Sequence, residues 1–395
     1  MNLDLISIIV FYGFIFLFYI THKKDFEIQG KILALYRTKL GLKLMDTISR
    51  FKPRFLKIIG YVSVITGFTG MIVIFYYLLK GAINTIVTPG AMPAVAPVLP
   101  GVKIPGLPVL SFWHWIIAIF VVAVVHEFSH GILARLYNVK VKSSGFAFMG
   151  PILGAFVEPD EKDLGKKKNK IQLTVFSGGP FANIILGLLL LLIFSFVFTP
   201  IENYVFENNG IVVSKVMQYY PAEKAGLKVP FVIHNVNNKQ IKNAQDFLDA
   251  FNNIKPGQKL TINTDKGIFN VITVKDPENA TKGFVGISDF SLNRVIKDSI
   301  KEKYGDISSV VKWFSLLIFW LVVINLGVGL FNLLPLGPLD GGRMFYVVSN
   351  FIFKNKHKSN RFFVSISWFC VLLIIINLWP YIFKLIMFLL KPFLG

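Results

Sequence analysis

Six long apolar runs frame the chain: residues 3–20, 58–79, 112–136, 171–198, 310–334 and 362–390. Each approaches or exceeds the roughly 20 residues a helix needs to cross the hydrocarbon core of a bilayer. The last is interrupted at Trp379-Pro380 and reads either as one kinked span or as a span followed by an interfacial helix. Between the fourth and fifth runs, from Pro200 to about Gly286, short strand-like and helix-like stretches replace the long runs. The pattern predicts a polytopic α-helical membrane protein of about six transmembrane helices, with one inserted α+β domain.

The segments between the runs carry their own patterns. Within 21–57, Leu33, Tyr36, Leu40, Leu44, Ile48 and Phe51 recur at helical spacing, with Lys39, Lys43 and Arg50 between them. This predicts a helix that either lies on the cytosolic leaflet or packs on the rest of the protein. Residues 89–108 hold six prolines without a regular period, an extended loop with no candidate chemistry. Residues 143–157 place Gly145, Gly150, Pro151 and Gly154 among apolar residues, too short and too broken to span. Irregular backbone survives at membrane depth only when buried in protein or beside water, so the expectation is a re-entrant hairpin. Glu158, Asp160, Glu161 and Asp163 then read as a solvated loop. The fourth run opens with Ser177-Gly178-Gly179-Pro180-Phe181-Ala182-Asn183. Small residues let helices approach closely. Asn183, a polar group inside a span, needs a partner, either as helix glue or as a donor near a site.

In the inserted domain, 210–216 and 231–236 read as strands, and 221–227 as a short helix with a glycine stop. Asn243 caps a predicted helix over 244–253, and Pro256-Gly257 turns into strands at 259–263 and 269–274. This order resembles the PDZ domains of bacterial membrane and periplasmic proteases. One departure is Val229-Pro230-Phe231, where a Gly-Asp is usual. The resemblance implies strand addition of an extended peptide, such as an exposed C-terminus, in a groove between 210–216 and 244–253. A size filter, which needs only bulk and position, is the other expectation for this domain.

Composition agrees with the membrane reading: the 395 residues are 54% hydrophobic, only 16% charged, and include 39 Phe. In a soluble protein the net charge of +20 would point to nucleic acid. Here the basic residues sit in short loops, so they read as topology signals and contacts to an anionic bilayer, with no nucleic-acid partner. Residues 21–57 hold ten Lys or Arg, 138–170 seven and 354–361 four, whereas 81–111 holds only Lys103. The basic loops belong in the cytosol, which puts both termini and the inserted domain outside a multi-pass cell-membrane protein. Asn279-Ala280-Thr281, a glycosylation acceptor pattern, agrees. The one cysteine, Cys370, provides no disulfide framework. The first run lacks a basic leader and a small-residue cleavage site, and reads as a retained span.

The candidate chemistry lies in the third and fifth runs. The third carries His126-Glu127-Phe128-Ser129-His130. Residues four apart share a helix face, so the two histidines can hold one ion, and neutral imidazoles suit Zn²⁺. Glu127 lies beside them to activate a water. An ionised carboxylate in a membrane helix costs roughly 3 kcal/mol, so Glu127 and Asp340 together would leave about 6 kcal/mol uncompensated without a metal or partners. The fifth run ends in Asn332-Leu333-Leu334-Pro335-Leu336-Gly337-Pro338-Leu339-Asp340-Gly341-Gly342, where prolines and glycines break the helix. Asp340 there is either a helix cap or the carboxylate that completes a two-histidine, one-acid site with an open fourth position. With 14 residues, roughly 21 Å of helix, between Phe112 and His126, the site lies about two-thirds of the way to the cytosolic face.

The two motifs resemble those of the site-2 protease family of intramembrane zinc proteases. His126 to His130 matches one. Asn332, Pro335 and Leu339-Asp340-Gly341 match the other, and Gly178 to Asn183 is similar to the intervening Gly-Pro-x-x-Asn element. The likeness covers Phe112 to about Tyr346, and the Lys-rich segment after the first span is similar to prokaryotic, archaeal-type members. It implies one Zn²⁺ on His126, His130 and Asp340, Glu127 as general base, and Asn332, with Asn183, as support for the substrate. It further implies hydrolysis within or near transmembrane segments of membrane proteins. The expected layout is 1–110, two spans and a basic linker; 111–200, the first half of a catalytic core; 201–306, the PDZ-like domain; and 307–395, the second half. Two readings compete. A zinc membrane protease with a glutamate ligand on a later helix would need a Glu-x-x-x-Asn or Glu-x-x-x-Asp pattern, which the later runs lack. A non-enzymatic transporter or scaffold displaying a PDZ domain leaves Glu127 and both motifs unexplained.

Overall fold

A computed structural model describes residues 3–390, apart from 31–32, 89–92, 103, 105, 151 and 278. Part of the predicted 89–108 loop, with Pro89 and Lys103, and Pro151 of the hairpin lie outside the described residues. The chain divides into two compact units, Met1–Phe194 with Leu316–Gly395, and Ser195–Ser315.

In chain order, α1 (Leu3–Thr21) leads to strands β1 (Phe26–Gln29) and β2 (Leu33–Thr38), then α2 (Leu42–Arg50), α3 (Pro53–Val87) and α4 (Phe112–Leu136). A hairpin of β3 (Val141–Met149) and β4 (Ile152–Pro159) precedes α5 (Glu161–Lys166) and α6 (Asn169–Ile193). Next come α7 (Thr199–Val205), β5 (Phe206–Val216), α8 (Pro221–Lys224), β6 (Phe231–Val236), β7 (Lys239–Gln240) and α9 (Ala244–Asn252). These are followed by β8 (Lys259–Thr264), β9 (Gly267–Ile272), β10 (Val274–Lys275), β11 (Gly283–Phe284), β12 (Ile287–Ile296) and α10 (Asp298–Tyr304). The chain finishes with α11 (Ser308–Phe331), α12 (Asp340–Phe353) and α13 (Lys356–Leu390).

Five helices among the described residues are long and apolar enough to cross a membrane: Pro53–Val87, Phe112–Leu136, Asn169–Val205, Ser308–Phe331 and Lys356–Met387. The first predicted run forms α1, but its apolar stretch Leu5–Thr21 is shorter than these. Helix α1 as a whole is 19 residues, about 28 Å long, close to the roughly 30 Å of the hydrocarbon core. The last run is one helix that continues through Pro380 rather than stopping there. Apolar neighbours and local adjustment tolerate a proline in a membrane helix.

The basic segment 21–57 departs from expectation. Leu33 and Tyr36 lie on β2, not on a helix, because β2 pairs with β1 on one side and with β3 on the other. The helix begins only after Gly41, whose φ of +80° turns the chain. On α2, Met45 is buried while Leu44 is exposed. The broken stretch 143–157 forms the β3–β4 hairpin, and the sheet runs β1-β2-β3-β4. The four acidic residues are also not a loop. Glu158 sits on β4, where it pairs with Arg37 of β2 and accepts from Ser143 Oγ at 2.9 Å, so the network ties β4 to β2 across β3. Asp160 caps α5, and the Asp163 N–H holds its carboxyl below the usual carboxylate range. Glu161 and Asp163 lie on α5.

The second unit folds around alternate strand positions, as a half-buried sheet requires. Ile211 and Val213, Phe231 and Ile233, and Leu260 and Ile262 all point into one core with Phe247 and Leu227. Asn243 caps α9 as expected: its side chain accepts from the Asp246 N–H at 2.8 Å, and Asp246 accepts from the Asn243 N–H at 3.3 Å. The predicted groove is corrected. The sheet order is β12-β5-β6-β8-β9, and β12 lies along β5 from Ile287↔Val216 to Ile296↔Phe206. Residues 210–216 are therefore not an available edge; the outer strand is β12, whose Phe290 ring sits 4.5 Å from that of Phe247 on α9. Register shifts interrupt β12 around Asp289 and between Leu292 and Arg294. Bulges break the period of two by which a strand is read from sequence.

Candidate metal centre

Helix α4 starts at a serine cap, with Ser111 Oγ accepting from the His114 N–H at 3.3 Å. The cap satisfies one of the open donors at a helix start. Fourteen residues on, His126 and His130 lie on one face, both buried, with ring centroids 4.8 Å apart. Helix α6 meets them in reverse order. His130 Nδ1 donates to the Val175 carbonyl at 2.7 Å. A carbonyl only accepts, so His130 carries its proton on Nδ1 and leaves Nε2 free to ligate. His126 Nδ1 faces the Asn183 amide at 3.1 Å. Both Nε2 atoms converge on Asp340 Oδ2, at 2.9 Å from His126 and 3.3 Å from His130.

Asp340 reaches this point because the chain breaks after α11. Pro335 and Pro338 cannot continue a helix. The Gly341 N–H donates to the Asn332 carbonyl at 2.7 Å and closes the loop, so that α12 starts at Asp340. The crossing is tight: a Cβ on Gly341 would lie 2.1 Å from the Leu333 oxygen, and one on Gly342 2.1 Å from the Leu336 oxygen. Glycine is the only residue that fits at either, which accounts for Asp-Gly-Gly. Asp340 lies in the first turn of α12, at its positive end.

The glycines of α6 do two different jobs. A Cβ on Gly178 would meet Leu133 Cδ1 at 2.4 Å, so its absence lets α6 close on α4. A Cβ on Gly179 would lie 2.4 Å from His130 Nε2 and 2.7 Å from His126 Nε2. It would fill the space next to both Nε2 atoms. One nitrogen from each histidine and one Asp340 oxygen, all within 4.8 Å of one another, form a donor set that suits Zn²⁺ with a position left open. The residues present therefore fit the ion, and Gly179 leaves the space beside both Nε2 atoms clear.

Glu127 Oε2 accepts from the Val157 N–H of β4 at 3.1 Å. Val157 thus turns its N–H away from β3 and toward α4. Glu127, both histidines, Asp340 and Asn332 line one cavity of about 550 Å³. Asn183 is fully buried and reaches His126. All six predicted residues therefore gather at one place. Sequence reasoning missed the Val175 carbonyl, Gly179 and the Val157 N–H. A signal existed for the first two: Val175, Gly179 and Asn183 repeat every four residues, as the histidines do.

The family model for peptidase family M50 matches residues 114–378. The chain belongs to peptidase family M50. Over 377 residues this M50 peptidase is 29% identical to an uncharacterized protein of Methanocaldococcus jannaschii, spanning 93% of this chain and 91% of that one. It is 25% identical to a Clostridium acetobutylicum protein provisionally named a zinc metalloprotease, over 67% of this chain and 96% of that one. A similarly named protein of Clostridium perfringens is 24% identical over 62% of this chain and 84% of its own. Among solved structures, the PDZ domain of an SdrC-like protein from Listeria monocytogenes is 20% identical, covers 23% of this chain and 92% of that chain, and gives a TM-score of 0.18. The M50 peptidase described here is an intramembrane zinc metalloprotease with membrane-crossing helices.

Proposed function

We propose that His126, His130 and Asp340 hold one Zn²⁺ and that Glu127 is the general base for hydrolysis of peptide bonds in transmembrane segments. The observation that carries this reading is the convergence of the three ligand atoms within 4.8 Å, on a cavity that Glu127 also lines. When bound, the ion polarises the scissile carbonyl as a Lewis acid. Glu127 takes a proton from the attacking water as its oxygen adds to the carbonyl carbon. It then gives that proton to the departing amine nitrogen as the C–N bond breaks. Asn332 lines the same cavity and supports the substrate there. Helical amides are already paired, so a transmembrane substrate must unwind before it is cut. Strand β4 lies at the edge of its sheet, which suits it to receive the unwound segment by strand addition. Asp340→Ala should lower the zinc content of the purified protein as strongly as His126→Ala does. Stoichiometric tight zinc in Asp340→Ala would reduce that aspartate to a helix cap.

The layout read from sequence, with 201–306 as a separate domain, is supported by the division of the chain at residues 195–315. The lysine asymmetry orients the chain with both termini and this domain outside and the metal nearer the cytosolic face. Exposed Lys166, Lys356 and Asp265 report on this directly. On a Cys370→Ser background, cysteines at the two lysines should resist an impermeant thiol reagent in intact cells, while one at Asp265 should react. The opposite labelling pattern would invert the topology.

A further inference from the structure

We infer that Asn183 is a positioning residue for the metal ligand His126, acting by fixing its tautomer, rather than a contact to the substrate. The inference rests on the zinc-site reading and deepens it. Helix α6 presents Val175, Gly179 and Asn183 at four-residue intervals to the two histidines of α4, in reverse order. At one end, the Val175 carbonyl accepts from His130 Nδ1 at 2.7 Å and leaves Nε2 for the ion. In the middle, Gly179 has no side chain to obstruct either Nε2. At the other end stands Asn183, fully buried, 3.1 Å from His126 Nδ1.

The two ends must do the same job. A histidine that ligates through Nε2 keeps its proton on Nδ1, and that N–H needs an acceptor. The Asn183 side chain offers an oxygen and a nitrogen of nearly equal size. With its nitrogen toward His126, as found, Oδ1 is buried without a partner. A half-turn of the amide brings Oδ1 onto His126 Nδ1–H. This one rotation sets the tautomer that ligation requires, with Nδ2 then taking the place of Oδ1. A backbone carbonyl thus orients His130 and a side-chain carbonyl orients His126. Pro180, next to Gly179 in sequence, withholds the N–H that the Phe176 carbonyl would otherwise take.

The test uses purified full-length protein and zinc affinity measured by competition with a chelator. Asn183→Leu keeps the volume but removes the acceptor, and should bind zinc about 10–100-fold more weakly. Asn183→Asp restores an acceptor and should bind within a few-fold of the parent protein. At saturating zinc, the leucine variant should regain turnover with KM unchanged. Parent-like zinc affinity in Asn183→Leu, or equal weakening in both variants, would overturn the assignment. So would a raised KM at saturating zinc, because it would return Asn183 to the substrate. Absence of tight zinc from the unsubstituted protein is a separate result and would sink the metal-site reading itself.

Discussion

Glu127→Gln should retain zinc and fold yet turn over a transmembrane substrate about 10²–10⁴-fold more slowly. Glutamine keeps the length of the side chain and loses only the ability to take a proton. It can still accept from the Val157 N–H, which Glu127 does at 3.1 Å, so the contact with β4 is preserved. The ligands His126, His130 and Asp340 are untouched. Turnover at matched zinc content isolates the proton transfer from every other contribution. Near-parent turnover in this variant would remove Glu127 from the role of base and leave the acid–base chemistry to another group.

Gly179→Ala should cut zinc affinity by about 100-fold, the upper range for disturbing the surroundings of a ligand, while leaving the helices intact. The added methyl would lie 2.4 Å from His130 Nε2 and 2.7 Å from His126 Nε2. The rings have little room to retreat, because Val175 holds one through Nδ1 and Asn183 faces the other. Alanine favours a helix over glycine by about 1 kcal/mol, so α6 itself does not suffer. Metal analysis of purified protein alongside its helical content separates the two effects. Stoichiometric tight zinc in a folded Gly179→Ala protein would show that the space beside the nitrogens is not needed by the ion.

The spans were the most legible part of the sequence. In a bilayer the backbone must satisfy its own hydrogen bonds, so a long apolar run forms a helix with few alternatives; the run at 112–136 is α4. The histidines were legible for a local reason, since a spacing of four on a helix is a shared face. Asp340 required a second motif, and it comes into reach through the tight crossing at Gly341 and Gly342. What escaped depended on distant partners. Leu33 and Tyr36 fit a helical period as well as a strand, and their pairing with Met149 and Phe146 of β3 decides the outcome. Strand β12 was hidden by its bulges, and its place beside β5 moved the open edge of the inserted domain. Gly179 looked like another small residue for helix packing. Only the docking of α6 on α4, set by the fit of Gly178 on Leu133, distinguishes the glycine that admits a helix from the one that admits an ion.

The most direct test of the central claim is the position of the cut. The purified full-length protein and a single-span substrate should be placed together in liposomes, and the product termini read by mass spectrometry. The account predicts a broken peptide bond inside the apolar segment of the substrate, lost on chelation and restored by Zn²⁺. Cleavage confined to residues outside the apolar segment, or cleavage that persists without zinc, would contradict it.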